Sequence, residues 1–80
     1  MKIELILYGI SRDIIGGPTY SIEIKEGSTV KDVMDFLVSK FSDFSKLKSL
    51  MIAVNDEYAS DEHIIKPGDE VVLIPPVSGG

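Results

Sequence analysis

Apolar residues alternate with polar ones at the start of the chain. Ile3, Leu5 and Leu7 fall on one side, and Glu4, Ile6 and Tyr8 fall on the other. A period of two predicts a strand over residues 2–8. The second side carries Ile6 and Tyr8, so it is not a plain solvent face. Tyr20, Ile22 and Ile24 alternate with Ser21, Glu23 and Lys25 and predict a second strand. Between the two, residues 9–18 read as a loop, with Gly16-Gly17-Pro18 as its strongest turn signal. The pair is expected to form a hairpin with a long connection.

The period then changes. Val30, Val33, Met34, Leu37, Val38 and Phe41 form one stripe at helical spacing. Ser28 or Thr29 offers the capping oxygen, and Asp32 places a negative charge in the first turn. The stripe needs a surface to cover, and a sheet supplies one. Residues 42–49 read as a connector with a short helical turn. Residues 51–54 read as a short buried strand, and Asn55-Asp56-Glu57 as a tight turn into a brief return at Tyr58-Ala59. Residues 60–66 are irregular, and Pro67-Gly68-Asp69 marks a turn. Residues 70–74 form the last strand, with Val71 and Leu73 on one face and Val72 and Ile74 on the other. The expectation is an α+β domain: a mixed sheet of four to five strands with one main helix packed on one face.

Composition narrows the picture. The chain has 80 residues and no cysteine, so it is one thin-cored domain held by packing without disulfides. Its 13 acidic and 8 basic residues give a net charge of −5. That disfavours nucleic acid and anionic membranes as partners. No secretory signal is visible, and no apolar run approaches the ~20 residues that span a bilayer. The absence of cysteine fits a reducing compartment, and the expected location is the cytoplasm.

The chemistry is concentrated at the end. Pro75-Pro76 closes the last strand, because proline donates nothing to a ladder and favours an extended path. Val77-Ser78-Gly79-Gly80 follow. The expected division is a domain over residues 1–76 and a flexible tail over residues 77–80. Glycine has no Cβ, so a terminal Gly-Gly can pass through a slot closed to other residues and present its carboxylate inside a partner's active site. Adenylation would turn that inert carboxylate into a mixed anhydride open to nucleophiles. The plain alternative is a frayed terminus.

Other clusters carry less. Asp56, Glu57, Asp61, Glu62 and His63 have neither EF-hand nor histidine-ligand spacing and read as solvated loop. Gly16-Gly17 belongs to no phosphate-binding fingerprint, so ATP is not expected to bind this chain. Ile6, Tyr8, Val72 and Ile74 should share the sheet face opposite the helix, with Tyr58 beside them. They form either a docking surface or a patch covered by Ile10 or Ile14.

The run from Gly68 to Gly80, with its PPVSGG ending, resembles the end of the molybdopterin synthase small subunit. Ala53-Val54-Asn55 with its turn fits the same family, as does Leu7-Tyr8-Gly9 with Arg12. Where family members often carry an aromatic pair before the prolines and an aromatic-Ala step in the first strand, this chain has Leu73-Ile74 and Tyr8-Gly9. The resemblance covers nearly the whole chain and implies a ubiquitin-like β-grasp fold. It implies that an ATP-dependent activating enzyme adenylates Gly80 and converts it to a thiocarboxylate. It further implies docking on a large catalytic subunit and delivery of sulfur to cyclic pyranopterin monophosphate. On that reading Gly79 gives the tail clearance, and Tyr8, Arg12, Ile74, Pro75, Pro76, Val77 and Ser78 touch partners. The chain itself would bind no cofactor or metal. A ubiquitin-like modifier joined through Gly80, a thiamine-pathway sulfur carrier and a binding module with an inert tail are the alternatives.

Overall fold

The computed structural model describes residues 1–47 and 50–75. Five strands form one sheet: β1 (Lys2–Leu7), β2 (Thr19–Glu23), β3 (Met51–Val54), β4 (Glu57–Tyr58) and β5 (Val71–Ile74). Their order is β2-β1-β5-β3-β4. β1 pairs antiparallel with β2 and parallel with β5, and β3 pairs antiparallel with both β5 and β4. The sheet is therefore mixed, as the sequence led us to expect. The last strand in sequence sits at the centre in space.

The main helix is α2 (Val30–Lys40). Thr29 caps it. The Asp32 N–H donates to Thr29 Oγ1 at 3.3 Å, and the Thr29 N–H donates to Asp32 Oδ2 at 2.9 Å. This reciprocal pair is a capping box that satisfies two otherwise orphaned donors. Val30, Val33 and Leu37 are buried, while Val38 lies at the exposed margin of the stripe. They meet Ile3, Leu5, Leu7, Ile22, Ile52, Val54, Val71 and Leu73 in a single core that also holds Phe44 and Ile65. A 3-10 turn over Ser42–Lys46 delivers Phe44 to that core, and Phe41 stacks edge-on against both Tyr20 and Phe44.

One expectation needs correction. Within the stretch read as a loop, Ile10–Ile15 form a short helix, α1. Six residues are under two turns, too few for a periodic stripe to stand out. Packing decides the matter, because Ile14 and Ile15 lean on the core. Gly16, at φ 98°, ends the helix with its N–H on the Arg12 carbonyl at 2.7 Å.

The turn between β3 and β4 is tight. Asn55 and Asp56 both have positive φ, 53° and 70°, which Asn and Asp tolerate better than most residues. Among the described residues no helix is long and apolar enough to cross a membrane.

Candidate functional site: the open sheet face and the tail root

Strand pairing makes the face opposite α2 continuous. Thr19 pairs with Ile6, Ile6 with Val72, Val72 with Ala53, and Ala53 with Tyr58. One row of side chains thus crosses all five strands. A second row lies nearer the chain's exit. Met51 pairs with Ile74, and Tyr8, one residue past the Leu7–Leu73 pair, comes level with Ile74.

Among the described residues nothing covers this apolar face. Tyr58 is 66% exposed, Tyr8 56% and Met51 45%, while Ile6, Val72 and Ile74 are half-buried by their neighbours alone. Ile6, Tyr8, Ala53, Tyr58, Val72 and Ile74 line a shallow depression whose rim carries the carboxylates of Asp56 and Glu70. Isolated exposed apolar residues need no explanation, but a contiguous sheet face of them is a candidate docking surface. The alternative of a covered patch does not hold. Ile14 packs towards the core on the other side of the sheet, and Ile10 is itself 45% exposed.

Pro75 leaves β5 beside this face. Because β5 lies between β1 and β3, the chain exits from the middle of the sheet and not from an edge. Pro75 rests on Gly9, where a side-chain Cβ would lie 3.0 Å from Pro75 Cγ. Tyr8, Ile74 and Pro75 are therefore gathered at one end of the open face. Arg12 is not among the residues lining the depression. It is an exposed residue of α1 and lines a neighbouring hollow with Gly9, Asp13, Gly16 and Gly17. Pro76, Val77, Ser78, Gly79 and Gly80 lie outside the described residues.

Sequence reasoning missed Met51 and Ala53 as members of this face. Residues 51–54 are all apolar and show no alternation, so only the register with β5 reveals which two point away from the helix. It also gave Gly9 no role of its own. Asp56, Glu57, Asp61, Glu62 and His63 are all exposed, and among the described residues no group of three or more acidic, His or Cys side chains is placed to hold a metal.

Among the described residues, an apolar face with acidic margins and the chain's exit at its end form a surface suited to contact with another protein. The class is that of the ubiquitin-like β-grasp proteins. A ubiquitin from Caldiarchaeum subterraneum shares the fold, with a TM-score of 0.66 at 23% identity over 100% of this chain and 98% of that one. The chain belongs to the ThiS family, whose model matches residues 5–80.

Relatives span the full chain. A molybdopterin synthase sulfur carrier subunit from Arabidopsis thaliana is 35% identical over 81 residues, covering 100% of this chain and 84% of the relative. The protein of the same name from Drosophila melanogaster is 34% identical over 83 residues, covering 100% and 92%. Among solved structures, SAMP1 from Haloferax volcanii, a small archaeal modifier protein, superposes with a TM-score of 0.84 at 27% identity over 100% of both chains. The complex of subunits 1 and 2 of the molybdopterin-converting factor from Helicobacter pylori contributes a chain with a TM-score of 0.68 at 27% identity, again over 100% of both.

Proposed function

We propose that this protein is the sulfur-carrier subunit of a molybdopterin synthase, with Gly80 as the reacting end. The observation that carries the reading is the central position of β5. It brings Pro75, and with it the start of the PPVSGG ending, to the edge of an uncovered apolar face. Full-length similarity to sulfur carrier subunits in a plant and an insect supports the same reading.

The chemistry follows from the end group. A carboxylate resists nucleophiles because its charge is delocalised over both oxygens. A carboxylate oxygen of Gly80 attacks the α-phosphorus of ATP on the activating enzyme, and pyrophosphate leaves. A sulfide-level donor then attacks the acyl carbon and AMP leaves, so Gly80 becomes a thiocarboxylate. This chain supplies reach, an unhindered acyl carbon and a docking face, while ATP and the catalytic groups belong to the partner.

The carrier then docks on the large catalytic subunit, and the thiocarboxylate sulfur goes into cyclic pyranopterin monophosphate towards the dithiolene. The sulfur first bonds to a substrate carbon while still joined to the Gly80 acyl carbon, and water then cleaves that acyl–sulfur bond, leaving the sulfur on the substrate and returning Gly80 to the carboxylate. Gly79 gives the tail clearance in the partner's slot, and Pro76, Val77 and Ser78 are the residues that touch the partner. The partner in the Helicobacter pylori complex is a subunit 2, which supports a large-subunit partner here. An ATP-dependent cycle in a cysteine-free chain fits the cytoplasm.

The likeness to SAMP1 favours a second reading, in which Gly80 is joined to lysines of other proteins. Intact mass separates the two. The protein is incubated with an activating enzyme, ATP and a sulfur source. An oxygen-to-sulfur exchange localised to Gly80 is the expected result. Adducts on lysines of other proteins would establish the modifier, and an unchanged mass would defeat both.

A further inference from the structure

The open face differs from one end to the other. Its exit end carries Tyr8, Ile74 and Met51 and is apolar. At the far end, Glu70 precedes β5 and shares the parity of Val72 and Ile74, so its side chain stands on the open face. Four residues at ~3.3 Å each separate the two ends by about 13 Å. Asp56 reaches the far end from the turn between β3 and β4, where the Asn55 N–H donates to the Glu70 carbonyl at 2.9 Å. The two carboxylates flank a depression lined by Ile6, Ala53 and Val72. Tyr58, the most exposed large apolar residue among those described, lines it as well.

Neither carboxylate serves the domain itself. Among the described residues, neither forms a hydrogen bond or an ion pair. Glu70 joins Asn55 through its main chain alone, its N–H donating to Asn55 Oδ1 at 2.9 Å. Glu4, level with Glu70 across the parallel pairing, adds a third negative charge to this end, and Lys2 lies two positions further out. Like charges held close together without an internal partner repel one another in the free protein.

We propose that the large catalytic subunit covers this face and sets a cationic side chain between Asp56 and Glu70, against the Tyr58 ring. That cation lies about 13 Å from the mouth of the slot that receives the tail. The proposal rests on reading the chain as the sulfur carrier, and it names the chemistry of the partner's surface. Apolar contact is non-directional, so an apolar face alone would dock as well turned around in its own plane. Charge at one end removes that freedom, because only one orientation places the carboxylates on the cation and the exit over the slot. An aromatic face beside the carboxylates attracts the same cation. A second copy of this chain carries the same net charge of −5, which opposes pairing of two such faces.

The test is titration calorimetry of the full chain against the large catalytic subunit. It is run at about 0.15 M and about 1 M salt, between which the screening length falls from about 8 to about 3 Å. Asp56→Asn combined with Glu70→Gln is compared with Glu57→Gln combined with Glu62→Gln. The second pair removes the same charge from exposed positions outside the depression, and Glu57 pairs with buried Val54 on the other side of the sheet. The first pair is expected to raise Kd at least about tenfold at the lower salt and to come within about twofold of wild type at the higher. The control pair should bind like wild type throughout. The proposal is overturned if the first pair binds like wild type at the lower salt, if the control loses as much, or if the loss persists at the higher salt. Wild type supplies a measurement that needs no variant: its Kd should rise with salt, and a Kd indifferent to salt overturns the proposal. A wild-type dimer in sedimentation velocity that Tyr58→Ala disperses would put a second copy on the face and overturn it too. Wild-type protein that does not bind the large subunit at all refutes the function itself, which is a different outcome from binding that ignores charge.

Discussion

Asn55 and Asp69 clasp two turns that lie 14 residues apart: Asn55 Nδ2 donates to Asp69 Oδ1 at 3.0 Å. The other oxygen of Asp69 accepts from the Lys66 N–H at 2.8 Å, and Asn55 Oδ1 accepts from the Glu70 N–H at 2.9 Å. The Asn55 N–H completes the set on the Glu70 carbonyl at 2.9 Å. Together they set where β5 begins, and so where the chain later leaves the sheet.

The clasp has a pH signature. The Lys66 N–H, and after it the Asn55 amide, stabilise the charged carboxylate and hold Asp69 below its ordinary value of 3.8. A lowered folded pKa means stability that is fully present above the ordinary value. It is lost as pH falls from there through the lower folded value. Thermal melts of wild type and Asp69→Asn should therefore differ near neutrality and converge in acid below about pH 4. Parallel curves across that range would contradict the clasp.

The capping box at Thr29 makes a second prediction. Thr29→Ala removes the oxygen that receives the Asp32 N–H. The expected cost is about 1 kcal/mol in urea unfolding, with an unchanged slope.

The core is thin, so a single deletion should be felt strongly. Leu37 is 0% exposed and lies at the centre of the α2 stripe. Leu37→Ala is expected to cost about 2–5 kcal/mol, a large share of the stability of a domain this size. Chemical denaturation at pH 7 reads it directly.

The open face predicts the opposite separation. Tyr8 and Ile74 lie side by side near the exit but outside the core cluster. Tyr8→Ala combined with Ile74→Ala should weaken binding to the large catalytic subunit at least about tenfold, by titration calorimetry. The melting temperature should change far less than for Leu37→Ala. Undiminished binding would move the docking surface elsewhere.

Much of this was legible before the fold was known. The first two strands, read over residues 2–8 and 20–25 and found at Lys2–Leu7 and Thr19–Glu23, the helix from Val30 and the parity of β5 are each written in local periodicity. The open-face residues Ile6, Tyr8, Val72 and Ile74 follow from that parity, because alternate side chains on a strand must point to opposite faces. Other features left no local trace. The helix Ile10–Ile15 is too short for a stripe, and its formation depends on Ile14 and Ile15 finding the core. Arg12 belongs by sequence to the same neighbourhood as Tyr8, but the turn at Gly9 carries it onto α1 and away from the lining of the depression.

By itself, the sequence determined the alternating strands, the main helix and the thin cysteine-free core, since these depend on neighbours in the chain. Tertiary structure alone decided that β5 lies between β1 and β3, that Met51 and Ala53 join the open face, and that Pro75 sits on Gly9. Those relationships join residues dozens of positions apart. No periodicity encodes them, because they arise only when the strands choose partners and register, and steric contact then selects what can lie where they meet.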